Sequence, residues 1–341
     1  MKKIFITGGA GFIGSAFVRL TINAFPSSFV TNFDNLTYAG NLDNLAGIKT
    51  DHYRFVKGDI ADPRAVLAAL DEQTDVVVNF AAESHVDRSI SNAAEFLRTN
   101  ITGTQVLLDA SRERGVKRFV HISTDEVMGS LPENGDGFFT EASPFAPNSP
   151  YAASKAAAEH FVRAAHHTFG LATIITRCGN NYGPRQFPEK FLPLIIANAL
   201  NDEPIPVYGD GRNVRDWIYV DDHCRAILLA LENGEPGDVY NIGARNERRN
   251  LDVVKSVLDT LGKPQSLIQF VKDRPGHDRR YAIDPTLIES QLGWRPLETW
   301  ESGLRKTINW YRENNHWLER ARSGAYRDYY RTQYGTEVGA V

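Results

Sequence analysis

Tyr151 and Lys155 stand four residues apart at the start of an alanine-rich stretch, and a helix opening near Pro150 would set both on one face, one turn apart. A phenol titrates near about 10, so a tyrosine acting as a base near neutral pH needs roughly 4 kcal/mol of stabilisation for its anion. One ammonium at about 4 Å in a half-buried site supplies an energy of that order. On an isolated helix the same pair reads as a packed ring beside a solvated amine, so its surroundings decide. Upstream, Ser123-Thr124-Asp125-Glu126 closes an apolar run, and a loop rich in Pro and Gly leads on to Tyr151. An adjacent Asp and Glu on a loop can also be no more than a helix cap.

These groups need a frame. The chain opens with a short apolar strand, Lys2 to Thr7, followed by Gly8-Gly9-Ala10-Gly11-Phe12-Ile13-Gly14, which reads as G-x-x-G-x-x-G and, from Gly9, as G-x-G-x-x-G. Glycines there permit a tight turn and let backbone amides approach a pyrophosphate at the N-terminus of the next helix. An amphipathic segment from Phe12 to Phe25 follows, then a strand from Phe29 to Phe33 that ends on Asp34, twenty residues past Gly14. A carboxylate at that place binds the adenosine ribose hydroxyls and repels a 2'-phosphate. With no arginine near Asp34, the unit predicts NAD rather than NADP.

Strand and helix continue to alternate. Tyr53 to Lys57 leads into Gly58-Asp59-Ile60, where Asp59 either reaches the adenine or caps a helix from Pro63. Val76 to Phe80 is an unbroken apolar run, as a parallel strand buried on both faces requires, and it ends in Ala81-Ala82-Glu83-Ser84-His85, small enough at first for a cofactor to pass close. A long helix is expected from Ala93 to Arg114, then a strand from Arg118 to Ile122 that delivers Thr124, Asp125 and Glu126 to its carboxyl end. After Lys155 the helix runs to about Phe169, and a strand from Thr173 to Arg177 leads to Cys178-Gly179-Asn180-Asn181. Repeated units of this kind make an α/β fold, a Rossmann-type doubly wound parallel sheet that binds ligands beyond its strand ends.

Beyond residue 180 the elements shorten, Pro and Gly increase, and basic residues recur at loop positions: Arg185, Lys190, Arg212, Arg215, Arg274, Arg279 and Arg280. This predicts a smaller substrate domain over residues 181–330, interleaved with an NAD domain over 1–180. Asp221 to Leu231 and Val239 to Gly243 read as a helix and strand returned to the main sheet. Arg215, in a stretch from Asp210 to Trp217 read as a loop, pairs a planar cation with glycine and an aromatic ring, which suits phosphate and base contacts. A helix from Trp300 to Arg312 and an aromatic tail after Ala325 are expected to pack back on the body.

The 341 residues carry 42% hydrophobic and 23% charged residues with a net charge of −4, ordinary for a soluble globular protein and against a nucleic-acid scaffold. Cys178 and Cys224 are the sole cysteines and show no metal-type spacing, so neither a disulfide framework nor a metal site is expected. The apolar opening is broken by glycines, and no segment is long enough to span a bilayer, so a reducing cytoplasm is the expected location.

The Gly8-to-Gly14 loop, Asp34 and the Tyr151/Lys155 pair resemble the extended short-chain dehydrogenase/reductase superfamily. Within it the chain resembles the dTDP-glucose 4,6-dehydratase family through Asn35 to Asn41 (NLTYAGN), Ala81 to Ile90 (AAESHVDRSI), Ser123 to Val127 (STDEV), Asn180 to Pro188 (NNYGPRQFP), Glu189 to Leu192, Arg215 to Trp217 and Asp273 to His277 (DRPGH). The likeness covers nearly all of residues 1–320. Met128 departs from it, since the family usually has tyrosine there. The related epimerases share the loop and the Tyr/Lys pair but typically lack the Asp-Glu pair.

The resemblance implies a lyase that oxidises a hexose with NAD, eliminates water and reduces the product in one pocket. Tyr151, helped by Lys155, would take the proton from the hydroxyl on carbon four, with Thr124 bonded to the same oxygen. Glu126 would remove the proton on carbon five, and protonated Asp125 would donate to the hydroxyl leaving carbon six. Adjacent carboxyls in opposite protonation states are reasonable, because like charges in a partly buried site push their titrations apart. On the cofactor side the resemblance names Phe12, Ile13, Asn35, Leu36, Thr37, Ile60, Ala81, Ala82, Thr99 and Asn181 beside Gly8, Gly11, Gly14, Asp34 and Asp59. Toward the sugar nucleotide it names Ser84, Asn180, Glu189, Lys190, Leu192, Arg215, Asn250, Asp273 and His277, with Pro206 and Tyr208 beside the base. It also implies a homodimer through the helices around Ala93 to Arg114 and Tyr151 to Phe169. An epimerase, a dehydratase of a UDP- or CDP-sugar, and a non-catalytic NAD-binding regulator are the alternatives.

Overall fold

The computed structural model describes residues 2–323 other than Asn134; the aromatic tail after Ala325 lies outside the described residues. In chain order the strands are β1 (Lys3–Thr7), β2 (Phe29–Asp34), β3 (Tyr53–Lys57), β4 (Val76–Asn79), β5 (Arg118–Thr124), β6 (Thr173–Cys178), β7 (Asn180–Tyr182), β8 (Ile205–Tyr208), β9 (Val214–Tyr219), β10 (Val239–Ile242), β11 (Glu247–Arg249) and β12 (Ile268–Val271). Seven of them form one sheet in the order β10-β6-β5-β4-β1-β2-β3, and every pairing in it is parallel. The order reverses between β1 and β4, which opens the crevice in which doubly wound folds bind ligands. As expected, β10 rejoins this sheet beside β6 after the chain has left it.

Apolar residues pack both faces of the sheet, Phe17, Val18 and Ile227 in one cluster and Leu107, Phe119 and Val162 in the other. The helix Pro150–Phe169 is defined at both ends by local chemistry. Ser149 accepts from the amide of Ala152 at 3.1 Å, and Pro150 fills the first turn. Gly170 closes the helix at φ 71, a left-handed conformation that favours glycine. Glu159 of this helix holds Arg177 of β6 in a buried two-pronged ion pair at 3.0 and 2.8 Å.

The single helix expected from Ala93 to Arg114 is instead three pieces, Ala94–Phe96, a π-helical stretch Leu97–Gly103, and Thr104–Glu113. Such widened turns concentrate at functional sites, and this one carries Thr99 and Asn100. A short helix at Val86–Ser91, not anticipated, precedes it.

A smaller C-terminal part is built on a mixed three-stranded sheet, β11-β9-β7, and a parallel pair, β12-β8. Its core joins Leu192, Ile195, Trp300, Tyr311 and Trp317. The Asp210-to-Trp217 stretch, read from sequence as a loop, is half strand. The Trp217 ring packs against Tyr182, Phe191 and Trp300 with centroids 6.1, 6.3 and 5.9 Å away, so apolar burial, not a base contact, claims it.

Candidate active site

One cleft follows the carboxyl edge of the main sheet, with about 1610 Å³ of empty space, its open mouth included. The turn after β1 forms one wall. Gly8 has φ +68, and a Cβ there would lie 2.6 Å from the amide nitrogen of Ala81, at the end of β4. A Cβ on Gly14 would meet the carbonyl oxygen of Gly8 at 2.2 Å. These contacts make glycine a requirement, and the loop is thereby pressed against the strand ends where a pyrophosphate is held in such folds. Gly8, Gly11, Phe12, Ile13, Gly14, Asp34, Asn35, Thr37, Asp59, Ile60, Ala81, Ala82, Thr99 and Asn181 all line the cleft. Leu36 does not line it; at φ 54 it donates its amide to Asp34.

Asp34, the last residue of β2, faces the same cleft. Its oxygens accept from the amides of Leu36 at 2.8 Å and Ala10 at 2.9 Å, which fixes the carboxylate and leaves each oxygen a lone pair. Burial raises its pKa, and those two amides pull it back. Asp59 is not a helix cap. Asp62 caps the Pro63 helix by accepting from Arg64 and Ala65, whereas Asp59 lines the cleft and pairs with Arg98 at 2.6 Å. The shapes and donors therefore suit a dinucleotide.

Thr124, Asp125, Glu126, Tyr151 and Lys155 line the same cleft. Strand β5 extends to Thr124, and Asp125–Met128 forms a short 3-10 turn in which the Thr124 hydroxyl accepts from the Glu126 amide at 3.3 Å. Asp125 is buried, touching Thr124 Oγ1 at 3.3 Å through Oδ1, and its buried Oδ2 has no hydrogen-bond partner among the described residues. Burial drives Asp125 well above the carboxylate range, reinforced by the charges of Glu126 and Asp216. Glu126 is raised less, because burial is opposed there by Arg274, Arg215 and Lys190. The two neighbours are thus separated in the sense required for an acid beside a base.

The Tyr151 phenol behaves otherwise than the helix spacing alone predicts. Burial raises it well above 10, Glu126 and Cys178 add to this, and the Thr124 hydrogen bond opposes it. Lys155 is itself lowered to about 8 by burial, and its ammonium is bonded to the carbonyl of Ile122 at 2.6 Å. Spacing set the two side chains on one face; desolvation, invisible in spacing, set their titration.

Of the remaining sequence-stated positions, Ser84, Asn180 and Lys190 also line the cleft. Lys190 donates to the carbonyl of Ser84 at 2.5 Å, and Glu189 takes a two-pronged contact from Arg88 at 3.2 and 2.8 Å. Tyr208, Asp273 and His277 form a second group further out. His277 Nδ1 lies 2.6 Å from Asp273, its ring meets that of Tyr208 edge-on, and Tyr208 donates to Asp87 at 3.1 Å. Arg215 is buried, with its guanidinium over the Tyr281 ring at 4.2 Å and bonded to the carbonyl of Asp278 at 2.9 Å. Pro206 stands in β8 beside β12, Asn250 opens the helix after β11, and Leu192 is packed in the smaller core.

The GDP-mannose 4,6 dehydratase family model matches residues 5–307. A dTDP-glucose 4,6-dehydratase of Xanthomonas campestris pv. campestris is 51% identical, over 96% of this chain and 98% of its own. That of Salmonella typhimurium is 48% identical over 97% and 99%. Among solved structures, the dTDP-glucose 4,6-dehydratase of Streptomyces venezuelae, with NAD bound, matches at 49% identity and a TM-score of 0.91, covering 94% of this chain and 99% of that one. The chain belongs to the dTDP-glucose 4,6-dehydratase family. UDP-glucose 4-epimerase of Thermus thermophilus, in complex with NAD, shares the fold at a TM-score of 0.85 but only 32% identity, over 92% of this chain and 99% of that one.

In this dehydratase-family chain some site residues escaped sequence reasoning. Asn100, on the π-helical stretch, accepts from the amide of Glu83 at 2.8 Å and donates to the Glu83 carbonyl at 2.9 Å and to Ser154 Oγ at 2.8 Å. It thereby pins the loop after β4 to the helix that carries Tyr151 and Lys155. A polar residue inside an expected helix was its only signal. Arg274 was noted merely as one basic residue among several, yet it pairs with Asp87 at 3.3 Å and acts on Glu126.

Proposed function

We propose that this chain converts dTDP-glucose to dTDP-4-keto-6-deoxyglucose and water, with NAD held throughout turnover. The observation that carries the reading is the pair Asp125 and Glu126, both raised by burial but Asp125 the more strongly, in one cleft with Thr124, Tyr151 and Lys155. An epimerase that only inverts a carbon has no task for two such carboxyls, and a non-catalytic regulator has no need to keep Tyr151, Lys155, Asp125 and Glu126 together. Identity near one half to dehydratases, against 32% to an epimerase, points the same way. Residues 1–180 with the return at 215–245 would serve the cofactor, and the later residues mainly the sugar nucleotide.

Gly8, Gly11, Gly14, Asp34, Thr99, Asn181 and the Ala81-Ala82 turn would hold NAD. Bound NAD supplies a reversible two-electron acceptor for the hydrogen on carbon four and a positive charge that favours the Tyr151 phenolate. Tyr151 then takes the proton from the hydroxyl on carbon four, while Thr124 bonds the same oxygen. The ketone so formed acidifies carbon five, whose proton passes to Glu126. Asp125, biased toward its protonated form by burial, would give its proton to the oxygen leaving carbon six; carbon six would then take back the hydride lent by carbon four, and carbon five the proton held by Glu126. Arg215 and Lys190 carry positive charge toward the cleft, suited to a diphosphate.

Incubation with dTDP-glucose, read by the absorbance that a 4-keto-6-deoxy sugar develops in alkali, tests the reading; UDP- and CDP-glucose serve as comparison. No signal with dTDP-glucose from protein loaded with NAD would remove it. Gly14→Ala is expected to weaken NAD binding about tenfold or more, because a new methyl in a closed turn costs roughly 1–3 kcal/mol. Calorimetric titration of cofactor-free protein measures this.

A homodimer is part of the proposal. Leu97, Phe161 and Phe169 are 53%, 42% and 54% exposed on the two neighbouring helices expected to pair. Sedimentation at micromolar concentration should give twice the 38.1 kDa chain mass, and a monomer would exclude the dimer. Both cysteines are buried and free, and no described helix is long and apolar enough to cross a membrane. A reducing cytoplasm, in which two buried free thiols stay reduced, is the location we propose.

A further inference from the structure

Behind Lys155 lies a buried polar chain that the mechanism above does not use. The Lys155 ammonium lies 3.3 Å from Nε2 of His121 as well as 2.6 Å from the Ile122 carbonyl. On the far side, Nδ1 of His121 lies 3.3 Å from the side-chain amide of Asn79. Asn79 in turn contacts Thr7 Oγ1 at 2.7 Å and Thr104 Oγ1 at 3.4 Å. The chain crosses β1, β4 and β5, and Thr7, Asn79 and His121 are all at most 1% exposed.

Donor counting restricts its protons. A charged lysine has three donors and no acceptor, so its contact with His121 is a hydrogen bond only when Nε2 presents a lone pair. A neutral imidazole then carries its proton on Nδ1, and the group facing Nδ1 must accept. Asn79 stands with Nδ2 toward Nδ1 and Oδ1 toward the Thr7 hydroxyl, and this tautomer requires the exchanged orientation, with the oxygen turned to His121. That orientation differs from the reverse one by an exchange of two nearly identical atoms. The hydroxyls of Thr7 and Thr104 donate or accept as either orientation requires. The other tautomer would aim an N–H at an ammonium in a site closed to water.

We propose that His121 is a positioning residue for Lys155, neutral with its proton on Nδ1, whose Nε2 accepts from the ammonium and keeps it charged and aimed at the cleft. The tautomer stands on geometry alone; its effect on catalysis rests on the proposed role of Lys155. Glu159 acts on Lys155 from its own helix and Cys178 from β6, while Tyr151, Asp125 and Glu126 line the same cleft. Glu159 is already matched by Arg177. With Lys155 near 8, its loss of charge falls within the range of an ordinary pH profile. An acceptor favours the charged form and so raises that pKa; removing it lowers the pKa.

The test has two arms. In protein labelled with 15N-histidine, the His121 signals, identified by their loss in His121→Gln, should show a protonated Nδ1 and an unprotonated Nε2 from pH 6 to 8. A protonated Nε2 would overturn the proposal, whether or not the enzyme turns over dTDP-glucose. In the second arm, His121→Leu should move the alkaline limb of kcat/KM down by about one pH unit, while His121→Gln, which keeps an acceptor oxygen, should restore it to near its original place. A folded His121→Leu protein with an unmoved limb would also overturn it. Should His121→Leu fail to fold, the nitrogen spectrum of the unmodified protein decides.

Discussion

Glu126→Gln should stop the reaction after the oxidation of carbon four. Glutamine keeps the size of the side chain and removes its basicity, so Tyr151 and Lys155 still act while the proton on carbon five has no acceptor. Nicotinamide absorbance should therefore rise on mixing with dTDP-glucose and persist, with product formation down about a hundredfold to ten-thousandfold, the usual contribution of a general base. Tyr151→Phe should do the opposite, leaving the cofactor oxidised because the first proton cannot leave. Arg274, Arg215 and Lys190 pull Glu126 back toward its ionised form against burial. Loss of one of these cations should raise the pKa of Glu126 further, moving the acid limb of the profile to higher pH. Product at the unmodified rate from Glu126→Gln, or cofactor reduction by Tyr151→Phe, would show that the roles are wrongly assigned.

Asp125→Asn should slow the loss of water by a similar factor, and the leaving group should determine how much. Burial and two neighbouring carboxyls push Asp125 toward its protonated form, which suits it to donate to the departing oxygen. Asparagine can still donate a hydrogen bond but cannot transfer a proton. With an analogue bearing fluoride on carbon six, which departs without one, the loss should shrink to a small factor. Single-turnover measurement with both substrates checks this. An equal loss with both would mean that Asp125 orients the substrate and does not protonate it. Asp216, pushed up to about 7 by burial, belongs to the same electrostatic environment, which makes the Asp125 proton sensitive to substitutions in β9.

Spacing within one or two elements was enough to read the frame. Gly8 to Gly14 followed by Asp34, the unbroken apolar run of β4, and Tyr151 one helical turn from Lys155 are patterns of period and reach. They follow from the geometry of a single strand, turn or helix, so the parallel sheet and the placing of Gly8, Asp34, Tyr151 and Lys155 at its ligand edge were legible before any tertiary contact was known. The alternation of strand and helix even anticipated the return of β10, because the chemistry of a buried parallel strand does not depend on when in the chain it occurs.

Tertiary structure decided what each group can do. Asp125 and Glu126 are adjacent in sequence, and nothing local separates them. Arg274 and Lys190, brought from distant parts of the chain, oppose the effect of burial on Glu126, whereas the charges of Glu126 and Asp216 add to it on Asp125. Asn100 could not be recognised as the tie between the β4 loop and the Tyr151 helix, because its partners, Glu83 and Ser154, lie in other elements. Trp217 moved from an expected ligand contact to the core, since a ring that can bury against three others gains more there than at a loop surface. The Tyr151 phenol, whose helper was visible four residues on, is governed by loss of water. Sequence records which neighbours lie within a turn, but desolvation and long-range charge exist only once distant segments have closed around a group.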